Sequence, residues 1–97
     1  MKLRIEPAAL AEAEDARNWY DAVREGLGEE FLDEFDRGLR QIVDFPNAWH
    51  PVGLRARRYR LNRFPYGIVY QIRPDEILVV AVAHLHRRAD YWRSRIT

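Results

Sequence analysis

Four side chains near the end of the chain are of the types that cleave RNA through its 2′-hydroxyl group. His84, Arg87, Arg88 and Tyr91 fall within eight positions. A histidine can act as a general acid or base near neutral pH, an arginine can stabilise a charged phosphorane, and a tyrosine can protonate a leaving oxygen. Side chains of these types also serve in packing and partner binding. The sequence therefore leaves open whether the protein is an enzyme.

A second possibility at the same place is metal binding. His84 and His86 are two residues apart, so on a strand they would share a face. No third ligand is evident beside them, because the positions of His50 and Asp90 in space cannot be read from the sequence. The chain has no cysteine. We therefore expect no metal and no cofactor.

The basic residues are concentrated in the second half of the chain. Residues 1–54 carry six basic and twelve acidic side chains, whereas residues 55–97 carry ten arginines and three acids. Such asymmetry points to an anionic partner, although a solvated edge strand or an acidic protein partner explains it as well. Aromatic residues between arginines favour nucleic acid. The candidate binding residues are Arg57, Arg58, Arg60, Arg63, Tyr66 and Trp92.

The hydrophobic pattern predicts four strands and two helices. Alternation predicts strands at Lys2–Glu6, Arg57–Asn62, Gly67–Arg73 and Ile77–Leu85, the last apolar on both faces and hence central. A helix should run from Ala8 to the break at Glu25–Gly28, with Leu10, Ala13, Ala16, Tyr20 and Val23 forming its apolar stripe and Trp19 beside it. A second helix, with an apolar stripe from Phe31 to Val43, should end at Pro46.

The remaining segments complete an α+β fold. Residues 46–54 are predicted to be a loop, and residues 87–96 a short C-terminal helix or tail. The element order is β-α-α-β-β-β, which predicts a helical hairpin on a small, mostly antiparallel sheet in one domain, residues 1–97. The first strand should pair with the apolar last one. No segment is apolar enough for a membrane span or signal sequence, so we expect a cytoplasmic protein without membrane contact.

The second half of the chain resembles the RelE/ParE family of type II toxin–antitoxin toxins. The resemblance rests on the strand "FPYGIVYQI", the turn at Pro74–Asp75, the apolar strand "ILVVAVAH" and the ending "RRADYW". It implies a growth-inhibiting toxin that forms a hetero-oligomer with an antitoxin encoded by an adjacent gene.

Two branches of this family imply different targets. The RelE-like branch implies a ribosome-dependent, metal-independent mRNA endoribonuclease, for which His84, Arg87, Arg88 and Tyr91 would be catalytic. The ParE-like, plasmid-stabilisation branch implies a non-catalytic inhibitor of DNA gyrase. The RelE-like pattern has an arginine where this chain has Gly67, and "FPY" and "RRADYW" are more similar to the ParE-like branch. We therefore expect a ParE-like toxin, with a non-toxic binding module as a further alternative.

Overall fold

The computed structural model describes residues 1–88 and 90–96 and has the predicted α+β architecture. Its elements are β1 (Lys2–Ile5), α1 (Pro7–Val23), α2 (Leu27–Asp44), β2 (His50–Gly53), β3 (Ala56–Arg60), β4 (Tyr66–Ile72), β5 (Glu76–His84) and a 3₁₀ turn (Arg93–Arg95). No helix among the described residues is both long and apolar enough to cross a membrane.

The sheet has five strands in the order β1-β5-β4-β3-β2. β1 lies parallel to β5, as predicted, and the other neighbours are antiparallel. The prediction of a loop over residues 46–54 is wrong in its second half, because β2 pairs there with β3. The sequence conceals this strand because it is a four-residue edge strand containing Pro51 and Gly53, residue types that are depleted in strands but tolerated at an edge.

The two helices approach each other closely at Gly28, which has no side chain to separate them. A Cβ atom at Gly28 would lie 2.6 Å from the carbonyl oxygen of Arg17, so the start of α2 packs directly on α1. The Asp21 carboxylate accepts the backbone N–H groups of Gly26 and Gly28, each at 3.1 Å. The turn between the helices is thereby fixed by a side chain of α1.

The apolar stripe predicted for α1 is wrong in part. Ala13, Ala16 and Tyr20 are buried as expected. Leu10 and Val23 are exposed, however, and Trp19 is 62% exposed. The buried side of α1 instead begins at Ala9, which packs against the core. Small alanines allow this close packing and leave the larger side chains at the margin of the interface.

The central strands β4 and β5 have buried side chains on both faces of the sheet. Ile68, Tyr70 and Ile72 of β4 face the helices, whereas Val69 faces a second apolar cluster on the opposite side, as the alternation predicts. We call this opposite side the open face. The C-terminal segment covers one end of it through Trp92, which is 3% exposed.

The C-terminal segment, predicted to be a short helix or tail, forms turns and the 3₁₀ turn Arg93–Arg95 within the described residues. The prediction for residues 87–96 includes Ala89, which lies outside the described residues, as does Thr97.

Candidate functional sites

A groove of about 580 Å³ lies between α1 and the ends of β4 and β5, and we call it the α1–β5 groove. One wall is Trp19, Tyr20 and Ala16 of α1, and the other is formed by Tyr66 and Val82. The structure thus brings the exposed Trp19 and the predicted binding residue Tyr66 to the same cavity.

The aromatic side chains that line the groove are packed against other rings of the core. The Tyr20 ring packs against Phe31 and Phe64, with centroids 5.6 and 4.8 Å apart. The Tyr66 ring lies 5.4 Å from Phe31 and 5.1 Å from the His84 ring. Burial raises the pKa of the Tyr66 hydroxyl above its usual value, so this group is a neutral donor at physiological pH. The groove therefore offers a largely apolar surface, with Glu12, Asp15 and Arg87 as charged residues in its lining.

The edge of β5 beside the groove is covered by side chains rather than by another strand. β1 pairs with β5 only as far as Val79. Beyond that point the Val82 N–H donates to the Glu12 carboxylate at 3.0 Å, and Arg95 donates to the Val80 carbonyl at 3.0 Å. These two side chains satisfy backbone groups that would otherwise be open to pairing.

Glu12 also holds the C-terminal segment on the body of the protein. Its carboxylate accepts the Tyr91 hydroxyl at 2.8 Å and the Arg95 guanidinium at 2.9 Å, and lies 3.4 Å from Arg87. Glu12 is not among the site residues predicted from the sequence. The available signal is its place on α1 within one turn of the buried Ala9, Ala13 and Ala16, where an acid is unexpected unless it has a partner.

The four residues predicted to be catalytic line one cavity but are not all aimed into it. His84, Arg87, Arg88 and Tyr91 border a cleft of about 280 Å³ on the open face, which we call the open-face cleft. The Tyr91 hydroxyl is hydrogen-bonded to Glu12, a groove residue. Burial and this carboxylate raise the tyrosine pKa well above its usual value, which makes it a weak acid.

The two arginines of that set have different surroundings. The Arg87 guanidinium stacks on the Tyr91 ring, 3.6 Å from its centroid, and contributes to both cavities. Arg88 is 82% exposed and pairs with Asp90 at 3.1 Å. The structure therefore fixes Arg87 in place and leaves Arg88 largely in solvent.

Arg58 lies on β3 and lines the open-face cleft. A Cβ atom at Gly67 would lie 2.8 Å from the Arg58 side chain, so the glycine makes room for that arginine to cross β4. The Arg58 Nε is buried and has no hydrogen-bond partner among the described residues. No carboxylate lines the open-face cleft within the described part of the chain. The cleft is thus a cationic surface with an unsatisfied donor.

The four arginines predicted to bind a partner line two adjoining shallow cavities. Arg58 and Arg60 border both cavities, with Arg63 in one and Arg57 in the other. Arg57 also donates to the Trp49 carbonyl at 2.7 Å. Arg63 pairs with Glu30 of α2 at 2.6 Å, which raises the pKa of the arginine and lowers that of the carboxyl.

The remaining two predicted binding residues lie in different cavities, and Trp92 shares the open-face cleft with Arg58. Tyr66 lines the α1–β5 groove. Trp92 lines the open-face cleft but is almost fully buried, so little of its surface is accessible in this conformation. Among the six predicted binding residues, the structure brings the four arginines to neighbouring cavities that share Arg58 and Arg60, and these two form no ion pair among the described residues.

A helical hairpin on a mostly antiparallel sheet, with a largely apolar groove and a cationic cleft on the open face, defines this small α+β protein. A sequence profile of the ParE toxin of type II toxin–antitoxin systems, parDE, matches residues 3–91. The chain therefore belongs to the ParE toxin family.

The fold is also similar to a solved structure described as a chromosomal ParDE TA system from P. aeruginosa. The superposition has a TM-score of 0.68 and covers 89% of this chain and 97% of that chain, at 15% sequence identity. No curated protein sequence matches this chain. At this identity the structural similarity establishes the fold alone.

Proposed function

We propose that this protein inhibits bacterial growth in the cytoplasm by acting on DNA gyrase, and that an antitoxin encoded by an adjacent gene neutralises it by binding in the α1–β5 groove. The single observation that carries this proposal is the separation of two surfaces on a ParE-family toxin: the apolar groove and the cationic open face. One surface fits each partner.

The groove supports the antitoxin part of the proposal. Trp19 is 62% exposed and stands edge-on to Tyr20, with ring centroids 5.1 Å apart. Val23, one turn further along α1, is 60% exposed. Exposed apolar side chains beside a cavity are typical of protein-binding sites. An antitoxin segment with apolar side chains would bury them.

The open face supports the target part. Arg58 and Arg60 have no ion-pair partner among the described residues. Arginine clusters of this kind bind carboxylates and phosphates. A gyrase surface that is acidic, or that is occupied by DNA, provides such groups.

The two parts are tested separately with matched variants. Trp19→Ala is expected to weaken antitoxin binding at least tenfold and to leave inhibition of supercoiling by purified gyrase unchanged. Arg58→Glu with Arg60→Glu should weaken gyrase inhibition at least tenfold. The control is Arg37→Glu with Arg40→Glu on α2, which makes the same change of charge at two exposed positions. If the wild-type protein does not inhibit gyrase, the proposed target is wrong.

Cleavage of mRNA is a second candidate, because the open-face cleft brings His84, Arg87, Arg88 and Tyr91 around one cavity. This function predicts that His84→Ala, Arg88→Ala and Tyr91→Phe each abolish cleavage of mRNA in a translating extract. The orientation of the Tyr91 hydroxyl towards Glu12 favours gyrase inhibition over this reaction. Intact mRNA in an extract containing the wild-type protein would exclude it.

A further inference from the structure

The hairpin turn between β2 and β3 is strained. Gly53 pairs with Ala56, so the loop contains only Leu54 and Arg55. Both have left-handed backbones, with φ of 53° and 60°. A two-residue turn with positive φ at both central positions favours Asn-Gly, because larger L-residues are disfavoured there. Leucine followed by arginine is a costly choice, and strain of this kind is concentrated at functional sites.

A buried side chain holds the turn in this conformation. Gln71 is 9% exposed, and its Nε2 donates to the Leu54 carbonyl at 2.8 Å. Its Oε1 accepts from the Arg73 guanidinium at 3.1 Å. One buried amide thus positions both the strained turn and a neighbouring arginine.

The turn presents apolar and cationic groups together. It borders a cavity of about 440 Å³ whose apolar walls include Leu54, Ile72 and Ile96, and whose cationic groups are Arg55 and Arg73. Leu54 is 47% exposed. Neither arginine forms an ion pair within residues 1–88 and 90–96, and no carboxylate lines the cavity in this part of the chain.

The position of the turn indicates which partner it meets. Gln71 and Ile72, which border its cavity, lie at the opposite end of β4 from Tyr66 in the α1–β5 groove, about 17–20 Å away at the rise of an extended strand. At this separation, a segment confined to the groove would not contact the turn. In contrast, β3 leads directly from the turn to Arg58 and Arg60 on the open face.

We propose that the Leu54–Arg55 turn is a second contact for the target protein, and that it receives a surface segment in which carboxylates flank an apolar side chain. This inference rests on the proposed function, because it takes gyrase as the target. The apolar side chain would contact Leu54 above the cavity, and the carboxylates would pair with Arg55 and Arg73.

The test separates strain from recognition. Leu54→Asn with Arg55→Gly installs the sequence that this turn type favours. We expect the melting temperature to rise by several degrees, antitoxin binding to remain within twofold, and the concentration that half-inhibits purified gyrase to increase at least tenfold. Unchanged gyrase inhibition in a stabilised variant would overturn the proposal, and so would a selective loss of antitoxin binding.

A second variant covers the case in which the first one fails to fold. Arg55→Glu changes only an exposed charge, and Arg37→Glu on α2 is its matched control. Arg55→Glu should lose at least tenfold in gyrase inhibition and the control should lose none; equal inhibition by the two would overturn the proposal. If wild-type protein does not inhibit gyrase, the same variants are compared by growth arrest after induction. Arrest retained by Arg55→Glu would then refute the role of the turn independently of the target.

Discussion

Among the acidic residues of α1, Glu12 should cause the largest loss of stability when it is replaced by alanine. The Glu12 side chain is 14% exposed and accepts hydrogen bonds from the Val82 N–H, the Tyr91 hydroxyl and the Arg95 guanidinium. Removing one partner of a buried ion pair costs about 3–5 kcal/mol, because the remaining charge is left without compensation. Arg95 is 23% exposed and keeps its bond to the Val80 carbonyl, which places the expected loss at the lower end, about 3 kcal/mol.

The loss is measured by urea and thermal unfolding followed by circular dichroism. For a domain of this length, about 3 kcal/mol corresponds to a decrease in melting temperature of about 12 °C or more. Glu12→Gln should cost about half as much, because its amide oxygen can still accept the Val82 N–H. The C-terminal segment should also become accessible, so trypsin should cleave after Arg93 faster than in the wild type.

Glu14→Ala provides the control, since Glu14 is exposed on the same helix. It should change the free energy of unfolding by about 0.5 kcal/mol or less. If Glu12→Ala unfolds at the same urea concentration as this control, the contacts of Glu12 do not hold the C-terminal segment and the reasoning is refuted.

Three further changes probe the core and the open face. Burial raises the pKa of Tyr70 to about 12 from 10.0. The neutral hydroxyl therefore contributes its full stability below about pH 10, and this contribution is lost as the pH rises towards 12. Between these pH values, the free energy of urea unfolding should depend less on pH in Tyr70→Phe than in the wild type. An equal dependence on pH in the two proteins would contradict the raised pKa of Tyr70. Gly28→Ala should cost about 2 kcal/mol, because its Cβ would meet the Arg17 backbone, which cannot move aside. Gly67→Ala should instead displace the flexible Arg58 side chain, leaving urea unfolding nearly unchanged while reducing gyrase inhibition; full inhibition would show that the position of Arg58 does not matter.

The periodicity of the sequence was sufficient to predict the strands that build the core. The residues of β4 alternate between the two apolar clusters, and β5 is buried on both faces. The pattern does not predict which apolar residues of α1 are buried. Leu10 and Val23 are more hydrophobic than Ala9, yet Ala9 is the buried residue, because the close approach of α1 to the sheet selects for small size. That distance is a property of the packed fold and has no local signature.

The arginines show what the sequence could and could not reveal about the site. Arg57 and Arg58 are consecutive on a strand, so the strand period predicts that their side chains point to opposite faces. In the folded protein both nevertheless border one shallow cavity beside β2. The ion-pair partners of other arginines, in contrast, could not be predicted from the sequence. Arg63 pairs with Glu30, 33 residues away, and Arg95 pairs with Glu12, 83 residues away. These pairs exist only after the helices have packed on the sheet, so no sequence window contains them.

The two cavities share side chains, and this bears on how one partner would affect the other. His84 and Arg87 border both the α1–β5 groove and the open-face cleft. Arg87 is held between Glu12 and the Tyr91 ring, so a segment that enters the groove contacts residues whose other sides line the cleft. Under the proposed function, an antitoxin in the groove would alter the cationic surface presented to the target without covering it. The antitoxin would then neutralise the toxin even if the target contacts only the open face. An antitoxin segment too short to reach the open face would still suppress gyrase inhibition. A truncated antitoxin that binds in the groove with full affinity and leaves gyrase inhibition intact would show that the shared residues do not couple the two surfaces.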